Sequence, residues 1–172
     1  MLLRLFQAFF DICRLRKGPQ DLPPSAELLA LALVAYAAVV AVSALISRLP
    51  GPAIGSSMVE TFLIAAINFV LLALRRFDGR WLQTTTAMAG TGVLFTLLAL
   101  PLLAGLAGAG NADAAASLLY PALLALIVWN IAVIAHILRH ALSVPFAVAV
   151  IIAAAYAWVI AAAVSGVFPE AA

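Results

Sequence analysis

The sequence predicts an all-α, polytopic membrane helical bundle: five transmembrane helices preceded by an interfacial amphipathic helix. Three observations carry this expectation. Of 172 residues, 67% are hydrophobic and 9% are charged, whereas a soluble domain has roughly 45–50% apolar and about 25% charged residues. Nine Lys+Arg and seven Asp+Glu are gathered so that five long intervals carry almost no charge. Most of these intervals reach the roughly 20 residues that cross about 30 Å of hydrocarbon.

The first element is residues 1–18. On a helix, Arg4, Gln7, Asp11 and Arg14 form one narrow polar stripe, and Leu2, Leu3, Leu5, Phe6, Phe9, Phe10, Ile12 and Cys13 cover the rest. Arg14, Arg16 and Lys17 cluster at the end, and Gly18-Pro19 stops the helix. This pattern describes a helix lying in the membrane interface. Its phenylalanines Phe6, Phe9 and Phe10 would sit at the acyl boundary, and Arg4, Arg14, Arg16 and Lys17 would meet anionic headgroups. Arg4 and Asp11 interrupt the apolar run and no small-residue cleavage site follows, so no signal peptide is expected. Cys13 reads as a small buried hydrophobe.

Five spans follow, at about 26–47, 57–76, 84–108, 115–138 and 144–167. The second is the shortest, because Glu60 and Arg75-Arg76 bracket only fourteen uncharged residues. Glu60 is expected at headgroup level, since a carboxylate at the bilayer centre costs about 3 kcal/mol on insertion scales. Pro101 should kink the third span, and Pro145 suits the first turn of the fifth. Arg4, Arg14, Arg16, Lys17, Arg75, Arg76, Arg80 and Arg139 fall on one side and Arg48 on the other. Cytoplasmic flanks carry the excess of cations, so the expected topology has a cytoplasmic N-terminus and an external C-terminus.

Helices in lipid gain nothing from hydrophobic contact with one another, so small and polar residues report their packing. Asn68 and Asn130 fall near the middles of spans two and four, and His136 near the cytoplasmic end of span four. The two carboxamides are candidates to orient a ligand together, or to bond between helices. His136 and His140 share a helix face at metal-ligand spacing, but with no third ligand nearby in sequence they read as headgroup-level histidines. Ala149, Ala153, Ala157, Ala161 and Ser165 recur every four residues, a small-residue face for close approach of another helix, within the chain or in a second copy.

Most chemistry is excluded. Asp11, Asp21, Asp78 and Asp113 all lie in interfacial segments, which removes an intramembrane aspartyl protease. The serines and His136 fall at different depths, and no phosphate loop, nucleotide fingerprint, haem or iron–sulfur signature is present. No enzyme activity, cofactor or metal is expected, and sixteen charges cannot make a nucleic-acid footprint. The absence of an ionisable residue at mid-span argues against coupled transport.

Two stretches carry a family resemblance: Gly18-Pro19-Gln20-Asp21-Leu22-Pro23-Pro24, and Arg80-Trp81-Leu82-Gln83-Thr84-Thr85-Thr86-Ala87 followed by Gly90-Thr91-Gly92. With five spans and a cytoplasmic N-terminal segment, the chain resembles a small bacterial member of the Yip1 family of multi-pass membrane proteins. Asp21-Leu22 matches the family's acidic-leucine element, with prolines where an aromatic and a glycine usually follow. The resemblance implies a non-enzymatic membrane protein that binds other proteins; eukaryotic relatives act in membrane trafficking and organelle shaping. The expected function is therefore to organise partner proteins or membrane shape, through the N-terminal helix and the loop from Arg75 to Thr86, as a homo-oligomer or with a protein partner. The alternative is a small permease or channel, or an accessory subunit of a transport complex, with Asn68, Asn130, Thr91 and Tyr36 along a polar path.

Overall fold

The computed structural model describes residues 2–46, 53–108 and 114–168. Six helices follow in order: α1 (Leu2–Cys13), α2 (Ala26–Ile46), α3 (Ala53–Leu74), α4 (Trp81–Gly108), α5 (Ala114–Leu142) and α6 (Phe146–Val167). Short 3₁₀ turns at Pro19–Asp21 and Asp78–Arg80 precede α2 and α4. Among the described residues there is no strand. Helices α2 to α6 are each long and apolar enough to cross a membrane, which marks the chain as an all-helical, multi-pass membrane protein.

The helix bounds depart from the charge-based reading in two informative places. Helix α3 begins at Ala53 rather than 57, which carries Glu60 seven residues, or about 10 Å, inside the helix. Helix α5 continues to Leu142 rather than stopping at 138, with Arg139 and His140 in its last turn, where cations complement the negative end of the helix dipole. Helices α1, α3 and α5 all end in left-handed residues that are not glycine: Leu15 (φ 60°), Arg76 (φ 58°) and Ser143 (φ 53°). This conformation costs about 1–2 kcal/mol for an L-residue. It is offset by wrap-around bonds to otherwise orphaned carbonyls, from Arg16 N–H to Asp11 O (2.9 Å), Phe77 N–H to Leu72 O (2.8 Å) and Val144 N–H to Arg139 O (3.1 Å). Helix α4 runs through Pro101 and α5 through Pro121 without a break, as neighbouring helices allow in a membrane.

The core gathers around α4, which packs against α1, α2, α3 and α5; every residue from Thr84 to Thr91 is buried. Large apolar side chains such as Val34, Phe62, Leu74, Ile151 and Trp158 point outward, a surface suited to acyl chains and not to water. Helix α6 packs on α5 and α3, but its buried face is Ala149, Ala153, Tyr156 and Ile160. The four-residue stripe expected there does not stay inside: Ala157 and Ser165 are half-buried and Ala161 is exposed. A step of four residues overshoots one 3.6-residue turn by about 40°, so the stripe winds off the packed face within a few turns.

Helix α1 is docked on protein. Ile12 and Cys13 are buried, and the Phe9 ring lies over Gly90 of α4, where a Cβ would overlap it. Trp129 Nε1 donates to the Cys13 carbonyl at 2.9 Å, thirteen residues short of the end of α5 and about 20 Å along its axis. Phe6 and Phe10 remain exposed and stacked with centroids 6.4 Å apart, but Phe9 faces α4 and not the acyl boundary. The reason is steric: glycine at position 90 opens room for an aromatic ring against the α4 backbone. Arg14, Arg16 and Lys17 are exposed; Arg14 lies 5.7 Å from the Phe10 ring centroid and Lys17 pairs with Asp11 at 3.0 Å. The side chain of Arg4, like Arg48, lies outside the described residues.

Candidate functional site

Two groups of polar side chains inside the bundle stand out, one at its middle and one at its basic end. The middle group starts from Tyr36, the midpoint of α2. Its hydroxyl donates to Glu60 Oε1 on α3. Glu60 is therefore not at headgroup level, as its charge alone had suggested, but is held at mid-bundle by a partner 24 residues away in sequence. Gly92 makes this geometry possible, since a side chain there would overlap the Tyr36 ring. Gly90 and Gly92 are two residues apart and so face opposite sides of α4, one admitting Phe9 and the other Tyr36.

Glu60, Ile64 and Asn68 follow at four-residue steps along α3, and Asn68 is fully buried. Tyr156, at the middle of α6, brings its hydroxyl beside Glu60 and Asn68. Neither Tyr156 Oη nor Asn68 Nδ2 and Oδ1 makes a well-formed hydrogen bond among the described residues. A buried polar atom without a partner forfeits about 1–3 kcal/mol, so a carboxyl, two phenols and a carboxamide meet here with hydrogen-bonding capacity to spare. Such a group can hold a proton, a water or a small polar solute.

Asn130 is not part of this cluster. It lines a separate cavity of about 160 Å³ with Ser43, Phe95 and Thr96, so the two asparagines that the sequence placed at compatible depths line different spaces. Thr91 is also turned to a structural use, its hydroxyl donating back to Ala87 O at 2.8 Å.

At the basic end, donors meet backbone carbonyls. Arg75 Nη2 donates to Leu142 O at 3.2 Å. Arg80 Nη1 reaches His140 O (3.2 Å), Ala141 O (3.0 Å) and Ser143 Oγ (3.0 Å). These are among the last carbonyls of α5, which no helical N–H can satisfy. Gln83 Nε2 donates to Leu22 O at 2.7 Å and Gly18 N–H to Asp21 Oδ2 at 2.8 Å, which pins the 18–22 segment with Pro19 and Leu22 buried. His136 Nε2 lies 3.0 Å from Lys17 O; since a carbonyl only accepts, this nitrogen carries the hydrogen. His140 stacks edge-on to it at 4.7 Å and takes a bond from Arg139 Nε at 3.3 Å. Among the described residues no three metal-ligating side chains converge. Of the expected partner loop from Arg75 to Thr86, Arg75, Arg76, Asp78, Gly79 and Arg80 are exposed, although Arg75 and Arg80 also cap α5, and Thr84, Thr85 and Thr86 are fully buried in α4.

Cys13 sits under docked α1. Burial pushes its thiol up to about 12, which leaves it almost wholly protonated near neutrality and a poor nucleophile.

The fold and these sites define a class, the small multi-pass helical membrane proteins with a polar cluster inside the bundle. Compared with known proteins, the chain matches no family model, no curated protein and no solved structure.

Proposed function

We propose that this chain is a non-catalytic inner-membrane protein that binds a proton at mid-bundle, as a small permease or as the accessory subunit of a membrane transport complex. One observation carries the reading: the Tyr36–Glu60 pair beside Asn68 and Tyr156, which lie together without a well-formed hydrogen bond. Helix packing alone does not call for an ionisable group, because serine, threonine or asparagine bonds across helices at less expense. Ionisable residues inside membrane bundles mark ion and proton pathways. Glu60, seven residues inside α3, is an ionisable residue at depth of the kind that coupled transport uses.

The test is infrared difference spectroscopy of the full chain in lipid vesicles while the medium is stepped from acid to alkaline. A carboxyl C=O band that responds to the medium and vanishes in Glu60→Gln supports the reading. A Glu60 that never exchanges its proton with either side would sink it. The proposed topology keeps the N-terminus in the cytoplasm and the C-terminus outside, on the eight-to-one division of cations in the sequence. A C-terminal reporter that is active only in the cytoplasm should then stay silent.

A second reading, the Yip1-like organiser of partners or membrane shape, is favoured by the half of the α6 stripe that leaves the packed face, with Ala161 exposed and Ala157 half-buried. Small residues on an outer face permit close approach of a helix from a second copy or a protein partner. Purification in mild detergent separates the two: a stoichiometric partner or dimer lost in Ala161→Leu supports the organiser, and a monomer with a titrating Glu60 supports the first reading.

A further inference from the structure

A second polar space lies at the basic end, a cavity of about 230 Å³ lined by residues that include Gln20, Arg80, Gln83, Thr84, His140 and Ser143. We infer that it binds a phosphate group. Three features converge on it. The cavity opens at the first turn of α4, the 28-residue helix that starts at Trp81, where the positive end of the helix dipole favours an anion. Arg80 is held in place by three acceptors on one guanidinium nitrogen, Nη1, so a planar charge matched to phosphate stands at the rim without the need to order it on binding.

The third feature is Thr84. It is fully buried, it lines the cavity, and its hydroxyl has no hydrogen-bond partner among the described residues. Thr86 and Thr91 on the same helix satisfy theirs by bonding back to Leu82 O and Ala87 O, the usual habit of helical threonine; Thr84 and Thr85 do not, and of these two only Thr84 lines the cavity. The carboxylate near His140 is Asp21, whose Oδ2 is already occupied by the Gly18 N–H. The volume is below the roughly 300–1,000 Å³ of sites for drug-sized ligands, so it suits a phosphate head and excludes a whole nucleotide. Its place, at the end of the bundle where the cationic side chains gather, is where phospholipid headgroups also lie.

The same chemistry is offered by free phosphate and by an anionic phospholipid headgroup, and the test separates them. The full chain in neutral detergent is titrated with inorganic phosphate, with short-chain phosphatidylglycerol, and with a glycosyl lipid as the uncharged control, following bound mass by native mass spectrometry. Saturable binding of phosphate, or of phosphatidylglycerol alone, supports the site and names its source. Thr84→Val keeps the shape and removes the hydroxyl; it should weaken that binding about tenfold. Thr85→Val, which removes an equally buried and unpartnered hydroxyl outside the cavity, should leave binding unchanged. The inference is overturned by equal affinity in wild type and Thr84→Val, by equal binding of the glycosyl lipid, or by no binding of either phosphate compound.

Discussion

At the basic end of the bundle, side-chain donors are matched to backbone carbonyls, with Arg75, Arg80, Gln83 and His136 each joined to a carbonyl far away in sequence. At mid-bundle the polar groups outnumber the well-formed bonds: Tyr36 and Glu60 pair, and Asn68 and Tyr156 meet without one. The first arrangement fastens α1, the 18–22 segment and the α3–α4 turn to the end of α5. The second stores unmet hydrogen-bonding capacity where it is most costly. Like the open hydroxyls of Thr84 and Thr85 near the basic end, the centre departs from the rule that buried polar groups are bonded, and such departures are where candidate sites are sought.

Three measurements sharpen this contrast, and the largest effect concerns the helix that spans the two regions. Cys13 under α1, with its thiol pushed up to about 12 from an ordinary 9.0, should hold about a thousandfold fewer thiolates at neutral pH than an exposed cysteine. Maleimide labelling should be correspondingly slow and rise about tenfold per pH unit. Because the thiolate is the disfavoured form on burial, alkaline conditions, and not acid, should loosen α1. Gly90→Leu, which places a side chain where the Phe9 ring lies, should undock α1 and restore ordinary labelling; slow labelling in that variant would show that Gly90 does not govern docking.

Next in size is Arg80→Ala, which uncaps His140 O and Ala141 O. It should lower stability by about 1–2 kcal/mol, since bonds from a charged donor at a partly exposed site are worth about that much. Thermal unfolding in detergent reads the effect. The smallest is Tyr156→Phe, with the opposite sign. It removes a buried hydroxyl without a well-formed bond, so it should raise stability by up to about 1 kcal/mol while altering the Glu60 carboxyl band. Loss of stability there would mean that the centre is as fully bonded as the basic end, and the contrast would fail.

Much of the fold is legible along the chain, because the interval between charges measures directly what a bilayer demands of a helix. Five intervals become α2 to α6, but the first helix ends at Cys13, with Leu15 left-handed, before Gly18-Pro19 is reached. Glu60 was misplaced because a count of charges treats every carboxylate as a boundary marker. A signal was nonetheless present: Glu60 lies two four-residue steps from Asn68, about 80° round α3, near enough to the packed face to be half-buried. The α6 stripe misled for a related reason, since a four-residue repeat looks like a straight face on paper and winds around a 3.6-residue helix in space. The threonine run at 84–86 carries no sign of which hydroxyls bond back to the helix and which stay open; that depends on the cavity beside Thr84.

By itself the sequence determined that this is a five-span helical membrane protein, because hydropathy and charge spacing act locally, residue by residue, against the solvent. Only the tertiary structure decided which polar residues meet. Tyr36 and Glu60 are 24 positions apart, Arg80 and Ala141 are 61 apart, and Lys17 and His136 are 119 apart. The worth of a buried polar group depends on whether its partner arrives, and that is fixed by how the helices pack, not by any one segment's composition.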